Sequence, residues 1–230
     1  MKKALITGGA ARIGAQIART LHENNYKIVI HCNHSFEKAQ LLSDDLNSIS
    51  QDSSEVISGD LKDIESISSI VNSIDSLDLL VNNASVFYPK SVENSEIEDW
   101  NDVINVNLRA PFFLSKGLSI KLSSRNGSII NIIDIHADRP LKNHAVYNIS
   151  KSGLKMMTQT LAKELAPNIR VNGVSPGSIL WPEASAEISE PEKKLMLEQI
   201  ALNRQGSPQD IADTVLFLAN SDYITGQIIN

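Results

Sequence analysis

Tyr147 and Lys151 stand four residues apart, the spacing that places two side chains on one face of a helix. A lysine ammonium beside a phenol lowers the phenol's pKa from ~10 toward neutrality. The tyrosine can then act as a general acid at ordinary pH. Alone, a Tyr-x-x-x-Lys pair is a weak signal, because a tyrosine is often a half-buried ring with a wet hydroxyl. It gains weight from Asp134, a carboxylate that closes the run Asn131-Ile132-Ile133. It gains more from Thr7-Gly8-Gly9-Ala10-Ala11-Arg12-Ile13-Gly14. A glycine-rich turn that enters a helix lets backbone approach a pyrophosphate and offers unpaired N–H groups at the positive end of a dipole. A carboxylate and a glycine-rich turn beside the Tyr-x-x-x-Lys pair make coincidence much less tenable.

Further segments extend this pattern. His31-Cys32-Asn33-His34-Ser35 follows an apolar run at the place where an acidic residue usually meets a free ribose 2′-hydroxyl. No acid is present, and hydroxyl, amide and imidazole donors suit a 2′-phosphate better, so NADPH is favoured over NADH. The competing reading is a polar loop with Ser35 as a helix cap. In Gly59-Asp60-Leu61 the aspartate could bond an adenine amino group or cap the following helix. In Asn82-Asn83-Ala84-Ser85-Val86-Phe87, the small Ala84 and Ser85 allow close contact with a flat ligand, and Phe87 offers a ring face. Ser175-Pro176-Gly177-Ser178 makes a tight turn able to sit on the nicotinamide side. His22, His136 and His144 are not spaced as metal ligands, and no metal is expected. Cys32 reads as packing.

The elements that must position these residues alternate strand with helix. Short β-rich runs fall at 3–7, 27–31, 55–58, 77–81, 127–133, 169–174 and 227–230. Apolar residues recur at helical spacing between them, with long helical stretches over about 97–122 and 146–166 and a helix opened by Pro208. The stretch 178–200 has a mixed pattern. Such alternation predicts an α/β fold with a doubly wound, mainly parallel seven-stranded sheet covered by helices on both faces. There is no internal repeat or linker, so residues 1–230 read as one domain. In such sheets the ligand crevice lies beyond the carboxyl ends of the strands, where all these segments fall.

Composition limits the alternatives. The chain has 230 residues, 42% of them hydrophobic and 21% charged, which excludes disorder, coiled coil and collagen. A net charge of −6 argues against nucleic acid or an anionic membrane as a main partner. No apolar run approaches the ~18 residues of a membrane helix, and Met1-Lys2-Lys3 is followed by too few apolar residues for a signal peptide. A single cysteine excludes an internal disulfide. A cytoplasmic enzyme is expected.

Together the Thr7–Gly14 turn, Asn82-Asn83-Ala84, Asn105-Val106-Asn107-Leu108, Tyr147/Lys151, Ser175-Pro176-Gly177 and Tyr223-Ile224-Thr225-Gly226-Gln227 resemble the short-chain dehydrogenase/reductase superfamily along the whole chain. The resemblance implies a Rossmann-like fold and a homotetramer. It also implies cofactor contacts from Gly8, Arg12, Ile13, Gly14, His34, Ser35, Asp60, Leu61, Asn83, Ala84, Ser85, Tyr147, Lys151, Pro176, Gly177 and Ser178. Lys151 would hold the nicotinamide ribose, and Asn107 would keep a proton-carrying water near Lys151. Three departures, Arg12 for a glycine, Asp134 for the usual serine and Ser85 for a glycine, look like a bacterial pteridine reductase. That branch implies a pterin or folate substrate bound by Arg12, Ser85, Phe87, Asp134 and Tyr147, with Asp134 and Tyr147 delivering the proton. The alternatives are a carbonyl reductase acting on a ketone or 3-oxoacyl thioester, and a non-catalytic NADP(H) sensor.

Overall fold

The structure is a computed structural model and describes residues 1–181 and 189–230. Its elements in chain order are β1 (Lys2–Ile6), α1 (Arg12–Glu23), β2 (Tyr26–Cys32), α2 (Phe36–Ile49), β3 (Ser54–Ser58), α3 (Ile64–Ser73), β4 (Leu79–Asn82), α4 (Ile97–Ile104), α5 (Ala110–Ser123), β5 (Ser128–Ile132), α6 (Ala145–Glu164), β6 (Arg170–Val174), α7 (Glu190–Glu198), α8 (Pro208–Asn220) and β7 (Ile228–Ile229). The strands form one seven-stranded sheet in the order β3-β2-β1-β4-β5-β6-β7, and every pairing is parallel. The order reverses between β1 and β4, so the loops leaving these two strands diverge and open a crevice.

The central strands are buried on both faces, which is why they read as continuous apolar runs rather than as alternations. On one face Ala4, Ile6, Ile28, Ile30 and Val81 pack with Ile17 and Leu21 of α1 and Val215 and Leu218 of α8. On the other, Leu5, Val29, Leu80 and Ile129 pack with Leu114 and Leu118 of α5 and Leu154 of α6. Full burial of each such side chain contributes roughly 1.5–3 kcal/mol.

The helical stretch expected over 97–122 is not continuous. Residues Asn105–Arg109 form a π-helical segment in which the Ala110 N–H reaches back five residues to the Asn105 carbonyl. Pro111 explains the break: it has no N–H, so it cannot donate to the Asn107 carbonyl four residues earlier. The mixed stretch 178–200 contains α7, which starts at a capping box between Ser189 and Glu192. Within that stretch, residues 182–188 lie outside the described residues. The final strand is shorter than expected and pairs only Ile228 and Ile229 with β6.

Candidate active site

Thr7 and Asn83 join the two loops that flank the crevice. Thr7 Oγ1 accepts hydrogen bonds from the backbone N–H of Asn83 at 2.9 Å and of Ala84 at 3.0 Å. Asn83 Nδ2 donates to the carbonyls of Thr7 at 2.9 Å and Gly8 at 3.1 Å. Gly8 takes φ +61°, and Arg12 takes φ +53°, a left-handed conformation that normally favours glycine. Gly14 sits where this turn meets α1. A Cβ there would collide with the Gly8 carbonyl oxygen and lie 2.6 Å from Asn83 Nδ2. Gly14→Ala is therefore expected to destabilise the fold by about 1–3 kcal/mol and to weaken dinucleotide binding. Urea unfolding together with a binding titration checks both effects.

The crevice is a cavity of about 500 Å³ whose walls include Gly8, Arg12, His34, Asp60, Asn83 and Val86. Ile13, Gly14, Leu61, Ala84 and Ser85 line it as well. His34, on its wall, is exposed, and so is the neighbouring Ser35, which is not among the lining residues. Ser35 precedes α2 but its side chain makes no capping bond, so the helix-cap reading is not realised. Nor does Asp60 cap α3. That role belongs to Asp63, which accepts from the N–H groups of Glu65 and Ser66, while Asp60 bonds the N–H of Lys62 at 2.9 Å.

Tyr147, Asp134 and Lys151 are not among the residues that line this cavity; α6 presents Tyr147 from its first turn. The phenol is buried and donates to Asp134 Oδ2 at 2.7 Å. Asp134 Oδ1 accepts the N–H of His136 at 2.8 Å, which fixes the carboxylate in place. One turn on, Lys151 is 2% exposed. Its ammonium donates to the Ile132 carbonyl at 3.0 Å and lies 5.7 Å from the centre of the Tyr147 ring. Burial pushes Lys151 down to about 8, against the raising effect of Asp134. Burial also raises the Tyr147 phenol well above its ordinary value of 10, reinforced by the Asp134 charge and hydrogen bond, while a Ser85 hydrogen bond opposes the rise. The expectation of a phenol brought toward neutrality by lysine is thus corrected. Desolvation and the adjacent carboxylate keep the phenol protonated, as a proton donor requires. Asp134→Asn is expected to lower the Tyr147 pKa, measured as the difference in phenolate absorbance titration from Tyr147→Phe.

Phe87, 40% exposed, stacks on His144 at 4.7 Å with an interplanar angle of 17° and meets the Tyr147 ring edge-on at 4.8 Å. In the sequence His144 is weighed only as a metal ligand, because its ring reaches Phe87 only through the return of the chain at α6. Asn107 is buried in the π-helical segment. Its Oδ1 accepts the Val86 N–H at 2.8 Å, and its Nδ2 donates to the Val86 carbonyl at 3.0 Å and to Ser150 Oγ at 3.1 Å. The Asn107 side chain thus fixes the β4 loop to α6. Pro176 lies beside the Asp134 loop, its carbonyl accepting the Ile135 N–H at 3.2 Å, and a Cβ added at Gly177 would lie 3.8 Å from the Ile135 side chain. Ser178 faces the segment ahead of α8: its Oγ accepts from Gln205 at 3.1 Å and its carbonyl from Gly206 at 3.0 Å. Among the described residues no group of three His, Cys, Asp or Glu could hold a metal ion, and no helix is long and apolar enough to cross a membrane.

The family profile described as enoyl-(acyl carrier protein) reductase matches residues 8–230. A 3-oxoacyl-[acyl-carrier-protein] reductase of Staphylococcus epidermidis is 36% identical over 237 residues, covering 100% of this chain and 96% of its own. The protein of the same name from Aquifex aeolicus is 34% identical over 237 residues, covering 100% and 95%. These full-length likenesses overturn the expected pterin or folate substrate. The residues that suggested it have other employment within the fold. Asp134 holds the turn after β5, Arg12 donates to the Trp181 carbonyl at 3.3 Å, and Phe87 stacks on His144.

Proposed function

Because the chain belongs to the short-chain dehydrogenase/reductase superfamily, we propose that this oxidoreductase reduces the ketone of a 3-oxoacyl thioester, presented on an acyl carrier protein, to the 3-hydroxyacyl thioester. The cofactor is NADPH. The chain suits it on its own terms: a glycine turn opening α1, a crevice of about 500 Å³ running from that turn past Asp60, and exposed His34 and Ser35 where a carboxylate would repel a 2′-phosphate. NADPH, when bound, supplies the hydride that adds to the ketone carbon.

The remaining chemistry falls to this chain's residues. Tyr147 releases its hydroxyl proton to the ketone oxygen as that oxygen gains negative charge. Asp134, 2.7 Å from the phenol, fixes the direction of the hydroxyl before substrate arrives. Lys151 supplies a buried positive charge beneath the ring, which stabilises the phenolate left after proton transfer. The single observation that carries this reading is the Tyr147 phenol, hydrogen-bonded to Asp134 at 2.7 Å with the Lys151 ammonium 5.7 Å from the centre of its ring. The full-length relatives support the thioester ketone as substrate. Exposed Trp100, Phe112, Ile149 and Met156 on α4, α5 and α6 support the expected self-association into a homotetramer.

The test is NADPH oxidation with an acetoacetyl thioester as substrate and a dihydropterin as control. Saturable turnover of the thioester with formation of the 3-hydroxyacyl product is expected. NADPH binding without thioester turnover would sink the reading.

A further inference from the structure

His31 ends β2 and takes no part in the chemistry above, yet it is 2% exposed and lines the crevice. Its contacts join three segments. The Gly8 N–H donates to His31 Nδ1 at 3.3 Å. The ring's other nitrogen, Nε2, lies 3.1 Å from the Gly59 carbonyl oxygen, which can only accept. The His31 carbonyl in turn accepts the Gly9 N–H at 3.0 Å, and the next residue, Cys32, accepts the Gly59 N–H at 3.0 Å. Two consecutive N–H groups of the glycine turn are therefore held by one residue, and the same ring reaches the loop after β3 that carries Asp60.

We infer that His31 is a positioning residue, a neutral imidazole clasp that sets the spacing between the glycine turn and the β3–α3 loop and so shapes the dinucleotide crevice. This rests on the proposed NADPH site but concerns the clasp rather than the ketone chemistry. The bonding dictates one tautomer. Nδ1 must be bare to accept from Gly8, and Nε2 must carry the hydrogen given to Gly59. A second proton on Nδ1 would face the Gly8 N–H and break the clasp. The surroundings favour the neutral ring: burial pushes His31 down to about 4, against smaller raising effects from the Gly59 bond and Asp60. The charged groups that share the crevice are Asp60 on the β3–α3 loop, Lys62 beyond it and Arg12 on the glycine turn, with His34 on the loop after β2.

Gln can place an acceptor and a donor at the two ends of a short planar group, whereas Leu fills the space and offers neither. His31→Leu is expected to weaken NADPH binding by about tenfold or more, because the turn loses the bond that holds the part-buried Gly8 N–H in place before the dinucleotide arrives. At saturating NADPH, kcat should stay within about twofold of wild type, because the clasp is remote from Tyr147. His31→Gln should recover most of the affinity. Binding is read directly by calorimetry, so the result does not depend on which substrate is reduced. Nitrogen NMR of the wild-type chain provides a readout that needs no variant. The His31 ring should show a bare Nδ1 and a protonated Nε2, with no titration between about pH 5 and 8. A ring that titrates in that range, or the opposite tautomer, or a folded His31→Leu protein that binds NADPH as tightly as wild type, would overturn the inference. Loss of thioester turnover in wild type with the clasp signature intact would count against the proposed function alone.

Discussion

Tyr147→Phe is expected to lower kcat/KM for a 3-oxoacyl thioester by about 10²–10⁴-fold, the usual contribution of a positioned general acid. The substitution removes only the hydroxyl. The ring contact with Phe87, at 4.8 Å, and the packing of the first turn of α6 remain available to phenylalanine. What disappears is the 2.7 Å bond to Asp134 and the proton destined for the ketone oxygen. NADPH affinity should stay near wild type, because the cradle at Gly8, Asn83 and His31 is untouched. Steady-state kinetics with calorimetric binding separates the two effects. A variant retaining more than about a tenth of wild-type turnover would assign the proton to another group.

Lys151→Met should be nearly as damaging to turnover, by about 10²-fold or more, since it removes the positive charge that stabilises the phenolate. Its effect on stability should have the opposite sign. The folded chain holds Lys151 at about 8, below its ordinary 10.5, so the buried ammonium penalises folding. That penalty is on the order of 3 kcal/mol, fully present below about pH 8 and relieved as pH rises toward the unfolded value. Methionine avoids it, and unfolding at pH 7 should show a variant at least as stable as wild type. The same shift fixes a pH dependence. Wild-type turnover should fall as pH rises through about 8, where Lys151 loses its proton, while Lys151→Met shows no such limb. A wild-type profile flat to pH 10 would mean that the charge on Lys151 does not serve the reaction.

Much of the fold was legible because strands buried on both faces announce themselves as apolar runs. Residues 27–31 and 169–174, for example, fall within one residue of β2 and β6. The site residues at strand ends were legible for the same reason: once the runs are placed, Gly8, Asp60, Asn83 and Asp134 must follow them. Three features were not legible, each for a physical reason. The π-helical segment at Asn105–Arg109 depends on a missing donor at Pro111, an effect invisible to a periodicity spread over 97–122. The raised Tyr147 pKa depends on how completely the phenol is desolvated, which sequence spacing does not measure. The clasp at His31 depends on Gly59, 28 residues away, arriving beside the ring through β2–β3 pairing. Substrate class misled for a related reason. Arg12, Ser85, Phe87 and Asp134 look like ligand-recognition residues in a linear string, but in the folded chain all four bond or stack on neighbouring residues.

The most direct measurement follows the hydride itself. NADPH carrying deuterium at the transferable position of nicotinamide C4 would be offered with an acetoacetyl thioester and, separately, with a crotonyl thioester, the 2-enoyl counterpart. Mass spectrometry and NMR then locate the label. Ketone reduction with the proton from Tyr147 places deuterium on the carbon that bears the new hydroxyl of the 3-hydroxyacyl product, and Tyr147→Phe abolishes that product. Label found only in a saturated acyl thioester, or no transfer to either substrate while NADPH remains bound, would contradict ketone reduction at this site.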